Sequence, residues 1–230
     1  MAFKRLDKLF LIILIILIVC LIYSLFTNKN PTIRETYAPN IAQKLTYRQR
    51  VYLEVLKRTK IALDSLSIPF FLSSGTCLGY FREKNFIKYD YDIDIGIFRE
   101  NYTHKMVKAM KKVGLKLYRT LGELESGLEL SFFLPGTKLG RWAKVDIFLH
   151  YKDQDKGTIS WYSYSPDKKR IQYRVNAFDI SVEKFLGVDV GVPSPTLDYI
   201  VQHYGSDWNI PKRPRKDYLY YQDPLSIVKD

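Results

Sequence analysis

Apolar and polar positions follow three rhythms along this chain, and each predicts a different kind of element. From Leu9 to Phe26 no charged residue interrupts a run of 18 positions dominated by Leu and Ile. A helix of that length reaches about 27 Å, and Thr27 and Asn28 extend it toward the interface, so a membrane-crossing helix is expected there. Between Gln43 and Leu66, the apolar residues Val51, Val55, Leu56, Leu63 and Leu66 recur at helical spacing among lysines and arginines. From Tyr91 to Phe98 the period shortens to two. Tyr91, Ile93 and Ile95 fall on one side and Asp92 and Asp94 on the other, the pattern of a half-buried strand.

The segments between complete a mixed set. Ile68 to Leu72 reads as a short apolar strand ending at Ser73, Ser74 and Gly75. Thr76 to Phe81 opens a short helix whose N-terminal amides would face a bound phosphate. Thr103 to Val113 is expected to be helical, with Asn101 or Thr103 as cap. Leu115 to Tyr118, Leu128 to Leu134 and Ala143 to Leu149 read as strands, and Thr158 to Tyr164 pairs with Ile171 to Val175 around Pro166 and Asp167. Ser181 to Phe185 reads as one helical turn and Asp189 to Val192 as extended. A last helix runs from Ser194, its cap, to Tyr204, with Pro195 in its first turn and Gly205 past its end. The fold class is therefore α+β: a mixed sheet flanked by helices, preceded by one N-terminal transmembrane helix. The divisions are a cytosolic tail at 1–8, a signal-anchor at 9–27, a stem at 28–42 and a folded domain at 43–230.

Charge orients the anchor. Lys4, Arg5 and Lys8 precede the apolar run with only Asp7 opposing them, so the short N-terminus stays in the cytosol and the domain is luminal. The competing reading is a cleaved signal peptide. The run is too long for a typical signal core, and no small-residue cleavage site follows it before Asn28. A single-pass type II membrane protein is the expectation. The net charge of +12 is concentrated in Lys168, Lys169 and Arg170 and in Lys212, Arg213, Arg215 and Lys216. Nucleic acid, anionic headgroups and a phosphorylated small substrate compete for such patches, but a luminal domain excludes nucleic acid, and a solvated basic surface accounts for most of them. Cys20 lies in the run and Cys77 is the one cysteine of the domain, so no disulfide within the domain is possible and Cys77 reads as a buried thiol. The 47 % hydrophobic and 15 % aromatic content supports a folded core.

Candidate chemistry centres on Asp90, Asp92 and Asp94. Carboxylates so close repel one another and need a cation to stay ionised. Oxygen ligands beside a glycine turn suit Mg²⁺ or Mn²⁺ holding a phosphate, with Asp92 and Asp94 on one face and Asp90 a step further back. An acidic loop facing solvent is the bland alternative, and the interleaved apolar residues oppose it. In "AKVDIFLHY", Asp146 sits between Val145 and Ile147, where a lone aspartate is costly without a partner. Either it pairs with a lysine such as Lys144, or its strand lies beside the acidic one and it completes a metal site. Phosphoryl transfer calls for those parts: cations on the transferred group, and a carboxylate that binds metal or takes the acceptor hydroxyl's proton.

The segments "GTCLGYFREKNFIKYDYDIDIGI", "KVDIF" and "FLGVDVGVPSPTLDYIVQHYGSDWNIP" resemble the LicD/fukutin family of the nucleotidyltransferase-fold superfamily. They span most of Pro69 to Pro211, in order. The resemblance places the family's glycine turn on Gly75 and Thr76, its metal-binding pair on Asp92 and Asp94, its later acid on Asp146 and its arginine on Arg82. Its C-terminal signature falls on Tyr204, Gly205, Trp208 and Pro211. Where members often carry Pro-Trp-Asp, this chain has Lys88, Tyr89 and Asp90, keeping the aromatic and losing the proline. The resemblance implies a nucleotidyltransferase-like sheet and transfer of a phospho-alcohol, such as ribitol phosphate or phosphocholine, from a CDP-activated donor to a glycan or glycoprotein hydroxyl. Two other functions compete. A sugar-nucleotide glycosyltransferase also uses D-x-D, but needs a longer nucleotide-binding region than the 17 residues between Gly75 and Asp92 allow. A non-catalytic membrane scaffold has no use for clustered carboxylates.

Among lesser features, Trp161, Tyr162 and Tyr164 offer either a stacking wall or core packing. Arg82 and Arg141 offer a diphosphate clamp, with surface pairing the stronger reading for Arg141. His150 and His203 read as structural and Trp208 as a staple for the C-terminal turn. Asn101-Tyr102-Thr103 is a glycosylation sequon if luminal.

Overall fold

Thr46 starts the first helix. Its hydroxyl accepts from the Gln49 amide at 3.3 Å while the Gln49 side chain accepts from the Thr46 amide at 3.0 Å, a reciprocal cap that fixes where α1 (Tyr47–Asp64) begins. The helical stripe read from the sequence is buried: Val51, Val55, Leu56 and Leu63, together with Tyr52 and Leu53. These contacts belong to a computed structural model that describes residues 45–164 and 170–212. The expected anchor and stem, Cys20, Lys168, Lys169 and the basic run from Arg213 lie outside the described residues. Among the described residues no helix is long and apolar enough to cross a membrane.

After α1 come β1 (Phe71–Leu72), α2 (Ser74–Glu83), β2 (Ile93–Phe98), α3 (Lys105–Lys112), β3 (Lys116–Leu121), β4 (Glu129–Phe133) and β5 (Lys144–Asp153). They are followed by β6 (Thr158–Tyr164), β7 (Arg170–Asn176), β8 (Asp179–Phe185), β9 (Val188–Ser194) and α4 (Thr196–Tyr204). The main sheet runs β3-β4-β5-β2-β1-β9-β8, and the far end of β5 carries the β6–β7 hairpin. β2 lies parallel to β5 and β1 parallel to β9; the other pairs are antiparallel. The sheet is mixed and flanked by helices, as the element pattern required. α1 packs against α3 and β5, and α2 packs against β2 and α4.

Three expectations change. The acidic strand begins at Ile93, so Asp92 stands just before it and Asp90 and Tyr91 lie in the preceding turn. Ser181 to Phe185 is not a helical turn but part of β8, an edge strand joined to β9 through the two-residue loop Leu186–Gly187. Both loop residues have positive φ, 50° and 83°, which matches the loop twist to that of the strands. The strand buries too little to show a period: Phe185 is its one buried residue, and Val182 is 73 % exposed. Ser194 ends β9 rather than capping α4, and the Thr196 hydroxyl instead donates to the Pro193 carbonyl at 2.7 Å.

Behind β5 and β6 the aromatic side chains form a stack. Trp161 is 1 % exposed, lies on His150 at 5.0 Å and on Tyr173 at 5.3 Å, and meets His203 of α4. Both histidines are structural. Burial lowers each to a pKa of about 3, and His150 Nδ1 lies 3.1 Å from the Phe148 carbonyl, to which the neutral ring donates. With a folded-state pKa below the unfolded value near 6.5, His150 must stay neutral to remain in place. Its contribution is intact above pH 6.5 and is lost as pH falls toward 3, by about 2 kcal/mol at pH 5. Replacing His150→Phe should remove that component. Urea melts at pH 8 and pH 5 will show a smaller acid loss in the variant; an unchanged loss would mean that His150 does not titrate on unfolding.

Candidate active site

The site lies where β1 turns into α2 against the start of β2. At Gly75 the chains approach so closely that an added Cβ would stand 2.7 Å from Asp90 Oδ2 and 3.2 Å from Asp94 Oδ2. A glycine is needed here for space rather than for φ. The Gly75 amide donates to Asp94 Oδ2 at 3.1 Å, and the buried Thr76 hydroxyl accepts from the Asp94 amide at 2.8 Å. The Ser74 amide donates to the Tyr199 hydroxyl at 3.0 Å. The helix starts two residues before the expected Thr76, and its first two amides are thus spent inside the protein, so the turn shapes the acidic cluster.

In an unbroken strand, Asp90 and Asp94 would stand about 13 Å apart along the chain. The turn before β2 folds Asp90 back instead. Its carbonyl is held by Arg48 Nη1 at 2.9 Å and by the Tyr52 hydroxyl at 3.2 Å, so α1 fixes the turn from outside. Carboxylate oxygens of Asp90, Asp92 and Asp94 come within 4.8 Å of one another. Asp90 therefore belongs to the innermost group.

Asp146 lies in register with Asp94 on the neighbouring strand. It is buried, and one of its oxygens, Oδ1, has no hydrogen-bond partner. The other accepts from the Lys144 ammonium, which also bonds Asp92 Oδ2 at 2.6 Å. Asp146 thus pairs with Lys144, as the first reading had it, and its strand lies beside the acidic one, as the second required. Asp146 joins the aspartate trio through a lysine that bridges the two.

A further pair extends the row. Arg119 of β3 and Ser131 of β4 stand in register with each other, as do Ser131 and Asp146. The Arg119 guanidinium donates to buried Glu129 at 2.6 Å and to Ser131 at 2.9 Å, and lies 3.7 Å from Asp146. Glu129 escaped sequence analysis, yet "LELSFF" carries the signal that revealed Asp146, a lone acid in an apolar strand.

The electrostatics follow from crowding. Burial, then Asp92, raises Asp90 well above the usual carboxylate range; burial, then Asp92, Asp90 and Asp146, does the same for Asp94. Burial and Asp146 push Glu129 up to about 7 against the pull of Arg119. Burial opposes the charge on Lys144, but Asp146 and Asp92 outweigh it and hold its pKa above the usual lysine value. Among the described residues, two cations, Lys144 and Arg119, face five carboxylates, those of Asp90, Asp92, Asp94, Asp146 and Glu129. That imbalance, the all-oxygen donor set and the unpartnered Asp146 oxygen fit a hard divalent cation held by Asp90, Asp92 and Asp94, with Asp146 alongside.

Arg82 sits elsewhere. Near the C-terminal end of α2, about 10 Å along the axis from Gly75, it donates to the Trp208 carbonyl at 2.9 Å and pairs with Glu83. Trp208 packs on Phe81 at 5.4 Å, so the C-terminal signature is stapled to α2 as expected. Arg141 lies over Tyr118 at 5.1 Å. Cys77 is buried, and burial raises its thiol pKa. Trp161 is core, Tyr162 packs on Tyr151 at 5.9 Å and Tyr164 donates to the Gly127 carbonyl at 2.8 Å, so these three build the sheet edge. Asn101 ends the short 3₁₀ turn Arg99–Asn101, and Thr103 rather than Asn101 receives the α3 amide, that of Lys105, at 3.4 Å.

Residues 67–195 match the family model described as LicD/FKTN/FKRP, nucleotidyltransferase domain, which takes in every carboxylate of the site. The ribitol-5-phosphate transferase FKTN of Macaca fascicularis is 35 % identical over 174 residues, and that of Homo sapiens 34 % over 174. Both alignments cover 75 % of this chain and 36 % of the relative, so the chain spans about a third of their length. An uncharacterized Caenorhabditis elegans protein is 26 % identical over 178 residues, with 75 % of this chain and 45 % of that protein covered.

Proposed function

We propose that this chain, which belongs to the LicD/FKTN/FKRP family of nucleotidyltransferase domains, transfers a phospho-alcohol from a CDP-activated donor to a glycan hydroxyl. Ribitol phosphate is the group favoured by the FKTN relatives' names, with phosphocholine a second candidate. The observation that carries the reading is the convergence of Asp90, Asp92 and Asp94 on Gly75, with Asp146 in register beside them.

The roles follow from position. Asp90, Asp92 and Asp94 would hold Mg²⁺ or Mn²⁺, which neutralises charge on the transferred phosphate when bound. Gly75 and Thr76 keep Asp94 and Asp90 at close quarters. Lys144 and the part-exposed Arg119 place positive charge on the same face, where a donor diphosphate needs it. The unpartnered Oδ1 of Asp146 accepts the proton of the attacking hydroxyl. CMP leaves. The apolar run at residues 9–26 supports a reading in which this chemistry takes place in the lumen of the Golgi or endoplasmic reticulum, and digestion of the domain by protease in sealed microsomes would refute that reading.

The test is CMP release by the full chain from CDP-ribitol, CDP-glycerol and CDP-choline, with a glycan acceptor and with Mn²⁺ or EDTA. Release from one donor, abolished by EDTA, is expected. No release from any of the three, or release indifferent to EDTA, overturns the reading.

A further inference from the structure

Two large aromatic side chains are left in solvent beside the carboxylates. Tyr91, between Asp90 and Asp92, is 51 % exposed, and Trp142, two residues before Lys144, is 58 % exposed. Their rings meet at 5.4 Å, tilted by 52°. An exposed aromatic pair at the rim of a polar cluster is a binding surface in waiting, because water solvates its faces poorly.

The pair is also held in place. Arg48 lies 5.4 Å from the Tyr91 ring centre while its Nη1 bonds the Asp90 carbonyl, so one cation backs the tyrosine and fixes the turn. The loop bearing Trp142 is closed by the Leu134 amide on the Ala143 carbonyl at 2.8 Å. It is tied to α1 by the Lys138 amide on the Tyr47 hydroxyl at 3.0 Å. A platform fixed at this many points has little conformational freedom left to lose on binding.

We propose that Trp142 and Tyr91 form the subsite for a sugar ring of the acceptor, with the ring's apolar face on the indole and its hydroxyls toward Asp90 and Asp92. The proposal rests on the transfer reading and deepens it by naming where the acceptor docks. Three observations select a neutral sugar over the donor's nucleotide. The flanking groups are carboxylates, whose free oxygens accept from the hydroxyls of a sugar. Arg48, the cation that lies against the Tyr91 ring, is spent on the Asp90 carbonyl. The platform is on the exposed rim, where a ring that continues into a longer glycan can lie.

Tryptophan fluorescence tests this without turnover. Of the three tryptophans, Trp161 is buried and Trp208 is half-buried against Phe81, so Trp142 supplies the fraction most open to iodide. Saturating lactose or N,N′-diacetylchitobiose should shield that fraction in the full chain, CMP with Mn²⁺ should not, and the Trp142→Phe variant should show no such fraction. In the transfer assay, Trp142→Ala should raise the acceptor KM about tenfold with the donor KM unchanged, and Trp142→Phe should recover most of the loss. Shielding by CMP instead, shielding by neither disaccharide, or a rise in donor KM alone overturns the proposal. Should no CDP donor be turned over, the transfer reading falls, while the quenching result still decides whether the platform takes a sugar.

Discussion

Replacing Asp94→Asn will make the protein more resistant to heat in metal-free buffer and nearly inactive. Asp94 is crowded by Asp92, Asp90 and Asp146 and raised by burial, so its ionised form weakens the fold. The amide keeps the shape and can still accept from the Gly75 amide through its oxygen. Because the folded-state pKa lies above the unfolded one, the wild-type handicap is full above the folded value. It vanishes as pH falls below the ordinary carboxylate range. The melting gain should therefore appear at neutral pH and fade in acid. Loss of a ligand to the cation proposed to neutralise the transferred group should cut turnover about 10³-fold. Melting curves at pH 7.5 and pH 3.5, with turnover on the same preparation, check both parts. A variant that melts lower at neutral pH, or that keeps its turnover, would break the link between crowding and metal.

Lys144→Met should act in the opposite sense. The lysine is buried and bonded to both Asp92 and Asp146, with Asp94 in register beside Asp146. Removing one partner of a buried ionic group typically costs about 3–5 kcal/mol. In a domain of this size that is a fall of roughly 10 °C in melting temperature. Saturating Mn²⁺ should return part of the loss, since a divalent cation answers the same carboxylates. A melting temperature in EDTA equal to wild type would show that Lys144 is not their counter-ion.

How much of this was legible differs by element. Helix α1, the acidic strand and the β6–β7 hairpin were readable because each spaces its apolar and polar residues at the period of its own element. Asp146 was readable as a charge among apolar neighbours. Its register with Asp94 was not derivable locally, since it depends on β5 returning parallel to β2 across some 50 residues. The fold-back of Asp90 depends on Arg48 and Tyr52 of α1, which no spacing around the D-x-D encodes. The bridging role of Lys144 was half visible, as a partner for Asp146 but not for Asp92. Aromatic composition left Trp161 open between a stacking wall and the core, because a strand's periodicity does not tell which face another layer covers, and the core reading holds. α4 covers it with His203, while Tyr91 and Trp142, in turns, stay open.

The central claim is that Asp90, Asp92 and Asp94 make a divalent-cation site. Titrating Mn²⁺ into the metal-free full chain and following the free-ion electron paramagnetic resonance signal tests it most directly. One Mn²⁺ per chain should disappear from the free signal with wild type, and that uptake should be lost with Asp92→Asn. A wild-type protein that leaves the Mn²⁺ signal undiminished, or an Asp92→Asn variant that binds as well as wild type, would contradict it.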